Sequence, residues 1–284
     1  MPTTQRSSAR WRHVTVSASA PPRTSVTDSW EAFAVRFGRH RLRRSAFYLN
    51  YAGYGEPDDD VTMDYYFWVI RGPAGTIVVD TGFAPEVGRR RGREVLADPM
   101  ELLGRLGVDA STVRTVVVTH AHYDHIGNLA RFPSAEVVMS RREHEFWQGP
   151  FAVRGHFAIP TETAELRHLS SLRTTGRLTL VEETYQLAPG VELLELGGHT
   201  PGQLVVLVRG AGGTVALASD AIHTYEEYER DRPFGIVADV PAMYRAYDRI
   251  RELEQQGVRV VAGHDPDVMT RFTPYFTDTV CRLL

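Results

Sequence analysis

His120-Ala121-His122-Tyr123-Asp124-His125 follows directly on residues 112–119, an apolar run rich in β-branched side chains that reads as a buried strand. Side chains alternate along a strand, so two histidines two positions apart leave its end facing the same way. Asp124 and His125 then stand where the chain turns into a helix. Four side chains able to ligate a metal thus fall within six residues. Neutral imidazole with carboxylate is a donor set that borderline divalent ions prefer. The alternative reading is a polar loop with incidental histidines.

Three later residues repeat the theme. His199 stands in Gly197-Gly198-His199-Thr200-Pro201-Gly202, just after an apolar run at 191–196. Asp220 closes the run 214–219, and His264 follows Gly263 at the end of 258–262. Glycines beside His199 and His264 suit a backbone that bends or approaches another closely. Taken singly, each reads as a loop residue. Four strand ends that all carry ligand chemistry read as one site.

Working outward, residues 30–37 alternate and predict a strand, followed by a basic cluster at 39–44 and an acidic loop at 56–60. Residues 64–71 and 76–80 are β-rich and flank Gly72-Pro73-Ala74-Gly75, which predicts a hairpin. Residues 86–106 predict a helix, with Arg89, Arg90, Arg91 and Arg93 on its solvated start. A helix opens at 126–131, a strand covers 135–140, and 141–172 has little β character. Strands are predicted at 178–181, 191–196, 203–208 and 214–219. A periodic helix covers 241–256 with Met243, Tyr247, Ile250 and Leu253 on one face, and 258–262 is a last strand. This order predicts an α/β protein: an αββα sandwich of two mixed β-sheets flanked by helices.

At roughly 150 residues per domain, 284 residues make one large domain or two small ones. We assign 28–284 to a single domain. Residues 1–27 are rich in Ser, Thr, Pro and Ala, hold Arg6, Arg10, Arg12 and Arg23, and read as a flexible tail rather than a targeting segment. No apolar run approaches the ~18–20 residues of a membrane span, so no membrane partner is expected. A net charge of −3 argues against a nucleic-acid binder. All 32 basic residues are arginine, which excludes Schiff-base chemistry on lysine and a phosphate-cradling Walker loop. The one cysteine, Cys281, rules out an intrachain disulfide and a Cys-rich zinc site. A reducing, cytoplasmic setting fits.

Asp80-Thr81-Gly82, His120-x-His122-x-Asp124-His125, Gly198-His199-Thr200-Pro201-Gly202, Asp220 and Gly263-His264 together resemble the metallo-β-lactamase superfamily, from about Trp30 to Phe276. The resemblance implies the αββα sandwich with a two-metal site at one edge. It implies that His120, His122 and His199 hold one ion, that Asp124, His125 and His264 hold the other, and that Asp220 bridges them. Asp80 would orient a ligand from outside. Two ions ~3.5–4 Å apart make hydroxide available near pH 7 to attack a polarised carbonyl, and Asp124 would manage the proton as the bond breaks. Zn²⁺ is the default ion, with Mn²⁺, Fe²⁺ and Co²⁺ also suited to an all-His/Asp set.

Within the superfamily the chain resembles the N-acyl homoserine lactone lactonases. The supporting segments are residues 66–71, 76–82, 218–221 and 261–266. The resemblance implies a small-molecule lactone substrate, with Tyr123 facing it. Where such lactonases carry a tyrosine three positions after the bridging Asp, this chain has His223, and the next tyrosine is Tyr225. An imidazole at 223 can donate a hydrogen bond or act as an acid, and it equally suits a different substrate. Phe146 and Trp147 open an aromatic stretch, 146–157, which reads either as a lid that receives substrate or as core or dimer contact; a homodimer is left open. Glu226-Glu227-Tyr228-Glu229 reads as a solvated run. His13, His40, His144, His156 and His168 are assigned nothing. The alternatives are hydrolysis of a thioester, amide or β-lactam, a mononuclear-iron persulfide dioxygenase, and a binding protein without turnover.

Overall fold

Alternation in the longest strands sorts the apolar residues into two cores. The computed structural model describes residues 29–284, so the tail expected at 1–27 lies outside the described residues. In the strand Glu31–Arg43, Ala32 and Ala34 face one way and Phe33, Val35 and Phe37 the other. Its neighbour Asp60–Gly72 does the same, with Tyr66, Trp68 and Ile70 opposed to Tyr65, Phe67 and Val69. The first set packs against a second sheet. The second set packs under helices that include Pro99–Arg105 and Thr163–Thr174. Full burial of side chains of this size contributes roughly 1.5–3 kcal/mol each.

The larger sheet also holds Gly75–Val79, Thr115–Val117, Glu136–Ser140, Leu178–Val181, Thr273–Thr277, Val280–Arg282 and the short Glu94–Val95. The smaller sheet orders Arg259–Ala262, Gly213–Ser219, Leu204–Gly210, Val191–Glu195 and Thr184–Ala188. The helix Val240–Gln255 buries Met243, Tyr247, Ile250 and Leu253, all members of the inter-sheet core that runs on through the smaller sheet. The layers are therefore α, β, β, α, as expected, and the hairpin around Pro73-Ala74 is present.

Parallel pairing places the site. Gly75–Val79, Thr115–Val117 and Glu136–Ser140 run parallel, as do Gly213–Ser219 and Arg259–Ala262. Val79 is in register with Val117, and Ser219 with Ala262. The chain leaves these strands at matched heights, which delivers Asp80, His120, Asp220 and His264 to one edge.

Several expectations are corrected. Residues 86–106 form two short helices, Pro85–Arg90 and Pro99–Arg105, separated by the strand Glu94–Val95. Gly92 turns left-handed after the first helix (φ 71°), and Asp98 caps the second by accepting from the Met100 N–H. Arg89 and Arg90 therefore end a helix rather than start one. The stretch 141–172 holds three helices, Arg141–Gln148, Gly155–Ala158 and Thr163–Thr174. Leu178–Val181 joins the larger sheet, not the three strands after it. The first strand runs on to Arg43 because its basic end pairs with the acidic start of the next. Arg43 meets Asp58 and Asp60, and Arg39 and Arg36 meet the buried Asp64. The ribbon so formed overhangs the site edge. Among the described residues, no helix is long and apolar enough to cross a membrane.

Glu165, on Thr163–Thr174, keeps one carboxylate oxygen sealed without a hydrogen-bond partner among the described residues. Burial, then the charges of Glu162 and Asp124, push it up to about 8. Between the ordinary carboxylate value and that point, the folded chain keeps a proton that the unfolded chain has released. Stability therefore falls as pH climbs through that window and levels off above it. Glu165→Gln is expected to raise the melting temperature by an amount that grows from pH 5 to pH 9, measured by thermal denaturation across that range.

Candidate metal centre

Two left-handed residues set up the edge. Asp80 (φ 59°) and Ser219 (φ 47°) occupy a region that costs a non-glycine residue about 1–3 kcal/mol. Both bends point polar side chains at the site. Asp80 Oδ1 accepts from the Thr119 N–H (2.8 Å), and its Oδ2 accepts from Thr119 Oγ1 (2.7 Å) and His125 Nδ1 (2.7 Å). One buried carboxylate thus fixes the residue before His120 and the ring of His125.

The imidazoles are oriented from outside. His199 Nδ1 donates to the Ile236 carbonyl (2.8 Å), and His264 Nδ1 to the Asp64 carbonyl (2.8 Å). Thr119 Oγ1 spends its proton on Asp80, so it accepts from His120 Nδ1 (3.3 Å). In His120, His125, His199 and His264 the proton therefore sits on Nδ1, and a bare Nε2 faces inward. His122 is turned the other way. Its Nδ1 lies 3.0 Å from His120 Nε2 and 2.9 Å from His199 Nε2.

Bare nitrogens that face one another at such distances repel unless a cation stands between them. The Nε2 atoms of His125 and His264 are buried with no hydrogen-bond partner among the described residues. Ligand atoms of His120, His122, His199 and Asp220 lie within 4.8 Å of one another, and so do those of Asp124, His125 and His264. Asp220 spans the two groups. Its Oδ2 is 3.7 Å from His120 Nε2 and 3.2 Å from His199 Nε2, while its Oδ1 is 3.3 Å from His125 Nε2 and 3.2 Å from His264 Nε2. The donor set fits two divalent ions. The electrostatics of Asp220 and of the first group agree, whereas at His125 burial lowers the pKa but the charges of Asp220, Asp80 and Asp124 outweigh it and raise it well above the imidazole range, a rise that bound cations oppose. Burial raises Asp220, yet the surrounding imidazoles pull it well below the carboxylate range. Burial, more than any neighbouring charge, drives His120 and His199 well below theirs and His122 to about 3, so the three rings are neutral ligands.

Five of the candidate ligands, His122, Asp124, His199, Asp220 and His264, line a cavity of about 160 Å³. Its walls include His40, Leu42, Met63 and Tyr65 from the ribbon, Arg93 beside it, and Tyr123, His223, Phe234 and Ile236. A sequence profile of the metallo-beta-lactamase superfamily matches residues 64–264, the span from the ribbon to the last ligand. The chain belongs to that superfamily.

Two curated relatives are named as lactonases. The N-acyl homoserine lactonase AttM of Azorhizobium caulinodans is 30% identical over 232 residues, which cover 75% of this chain and 86% of the relative. An N-acyl homoserine lactonase from a Bacillus species is 24% identical over 74% of this chain and 84% of its own. Two solved structures share the fold. An N-acyl homoserine lactone hydrolase with N-hexanoyl-L-homoserine at its catalytic metal centre superposes at a TM-score of 0.72, with 21% identity over 88% of this chain and 98% of that one. The dizinc lactonase AidC superposes at 0.69, with 18% identity over 84% and 89%.

The remaining expectations divide. Tyr123 lines the cavity. Its hydroxyl accepts from Arg93 Nε (3.0 Å) and donates to Tyr65 (3.3 Å), while Phe83 stacks on its ring and the Arg91 guanidinium lies 4.2 Å from the ring centre. His223 also lines it, fully buried, with Nε2 3.1 Å from Asp220 Oδ2 and Nδ1 3.0 Å from Glu227. Burial lowers the His223 pKa, but the Glu227 and Asp220 charges outweigh it and raise it to about 10; bound cations oppose that rise. Tyr225 is a correction. Its hydroxyl donates to the Val260 carbonyl inside the inter-sheet core, away from the cavity. Phe146 and Trp147 are corrections too, because neither lines the cavity. Phe146 packs on Phe157, and Trp147 backs the His122 ring with centroids 5.8 Å apart.

Sequence reasoning misses four residues. Glu227, expected in solvent, is fully buried and accepts from His223, from the Thr224 N–H (3.0 Å) and from Tyr247 (3.0 Å). Thr224-x-x-Glu227, a capping box at the start of the helix Tyr225–Glu229, is the available signal. Glu143 is also fully buried. It accepts from the Ala121 N–H (3.0 Å), the Gly202 N–H (3.0 Å) and Trp147 Nε1 (2.7 Å), so it ties the His120–His122 loop to the His199 loop. Ser140-x-x-Glu143 resembles an ordinary helix start, which hides that role. Arg93 and His40 line the cavity without any sequence pattern to mark them.

Glu143→Ala leaves two buried N–H groups and the indole unpaired between ligand loops. Affinity for the first divalent ion is expected to fall by about 10–100-fold with the fold retained. Competition with a chromogenic chelator, alongside circular dichroism, measures this.

Proposed function

We propose that this chain is a metal-dependent hydrolase that opens lactone rings, with N-acyl homoserine lactones as the reference class. The observation that carries the reading is the pair of ligand groups joined by Asp220 at the floor of a small, partly apolar cavity. The lactonase names of the relatives support the substrate class. His120, His122 and His199 would hold one ion, Asp124, His125 and His264 the other, and Asp220 would touch both. We assign zinc, the metal of the dizinc neighbour. When bound, such ions lower the pKa of coordinated water and polarise an ester carbonyl.

The chain's own groups do the rest. Asp80 holds His125 in the tautomer that leaves Nε2 free. Asp124 lines the cavity beside His125 and His264, where its carboxylate would take up the proton that the attacking water loses and hand it to the ring oxygen as the C–O bond breaks. Glu227 takes the Nδ1 proton of His223 and, with Asp220, favours its imidazolium, so that the remaining Nε2–H, 3.1 Å from Asp220 Oδ2, is the donor shared with the substrate carbonyl in place of a tyrosine hydroxyl. Leu42, Met63, Phe234 and Ile236 exclude water around the acyl side. Two ligand groups favour this over a single-iron dioxygenase. The unpaired, buried Cys281 suits a cytoplasmic enzyme.

Acid release from a panel of lactones, thioesters and β-lactams tests the reading. Turnover of γ-lactones at the highest kcat/KM is expected, and no release from any lactone would overturn it. Asp220→Ala is expected to bind fewer than two ions per chain, by elemental analysis, and to lose most turnover. His223→Phe should lower kcat about tenfold or more with metal content intact; an effect below about twofold would remove its role.

A further inference from the structure

Arg93 is a half-buried guanidinium in the cavity wall with no acid opposite it. Three other arginines of this region are paired. Arg90 and Arg91 bind Glu162, and Arg39 binds Asp64. Among the described residues Arg93 meets no carboxylate within ion-pair distance. Its one side-chain hydrogen bond among the described residues runs from Nε to the Tyr123 hydroxyl, and none of these residues takes up the terminal nitrogens of the fork. His40, set beside Arg93 by the pairing of Arg39 with Glu94, offers no counter-charge: burial and Arg93 itself hold its pKa down to about 4. The only acids in the described lining are Asp124 and Asp220, both in the ligand groups. Two divalent ions outweigh these two carboxylates, so Arg93 adds positive charge to a wall that is already positive. A ligand seated at the ion groups and long enough to reach this wall meets a planar donor fork with no partner. Such a fork matches a carboxylate bidentately, with bonds about twice as strong as to a neutral acceptor.

We propose that Arg93 is a specificity-determining residue, and that the preferred substrate is a lactone bearing a carboxylate substituent rather than a neutral one. This rests on the lactonase reading and narrows it. Tyr123 takes part as the post that holds the guanidinium, and its ring, clamped between Phe83 and Arg91, keeps the fork facing the cavity.

The test compares one γ-lactone as its free carboxylic acid and as its primary carboxamide, in the wild type, Arg93→Met and Arg93→Lys. The wild type is expected to prefer the acid by about tenfold or more in kcat/KM, mainly through KM, and to lose part of that preference at high salt. In Arg93→Met the ratio falls to about one, and Arg93→Lys restores part of it. Calorimetric binding of the matching lactams, which are not opened, gives the same ratio without turnover. Circular dichroism and metal content confirm that each variant is folded and loaded. A wild type that binds the carboxamide lactam as well as or better than the acid overturns the proposal, as does an Arg93→Met variant that keeps the preference. A failure to open any lactone would sink the lactonase reading instead, and the lactam comparison would still decide the role of Arg93.

Discussion

Five imidazoles and two carboxylates are almost fully removed from solvent at one edge of the sandwich. Unpaired polar groups in such a place are costly, and the surrounding structure is arranged to meet that constraint. Each outward ring nitrogen of His120, His125, His199 and His264 has an acceptor, and each acceptor comes from a different part of the fold: a threonine after a central strand, a left-handed aspartate, a loop carbonyl and the ribbon backbone. What remains unsatisfied points inward, to a common centre. The outer bonds turn a collection of buried histidines into two sets of aligned lone pairs.

The sheets make that alignment reproducible. Parallel strands in register end at the same height, so residues far apart in sequence leave the sandwich together. Gly198 shows how tight the tolerance is. It is left-handed (φ 98°), and a Cβ there would lie 2.7 Å from the Met243 Cα, so the long helix rests directly on the loop that bears His199. Glu143 and Glu227 act in the same spirit from beneath, one between two ligand loops and one behind His223.

Much of this is legible in the amino-acid sequence. Ligand residues sit just past apolar runs, and that juxtaposition survives in the linear chain because strand ends are local. The layers are legible too, through the period-two runs and the one long amphipathic helix. Long-range effects are hidden. The charged half of the first strand reads as a loop because its partner is a charged segment about 20 residues away, not a core. Residues 86–106 read as one helix because leucine spacing does not register a glycine turn followed by a proline start. Tyr225 reads as a substitute for the missing tyrosine, yet it opens the helix that starts after Thr224, and its side chain turns into the core. Glu143, Glu227 and Arg93 act across loops, and a single sequence carries no trace of such contacts.

The wall around Phe234 and Ile236 is also the strap behind His199: the Ile236 carbonyl takes that ring's proton, and the Ala238 and Asp239 N–H groups donate to the Gly198 carbonyl. Reshaping this side to admit a bulkier acyl group would tilt a metal ligand at the same time. On the ribbon, His40 and Leu42 reach the cavity without making a hydrogen bond to any ligand ring. The cavity's shape can therefore drift through the side chains of His40 and Leu42, while the Asp64 backbone of the same ribbon and the Phe234–Ile236 side are each tied to a ring of the site.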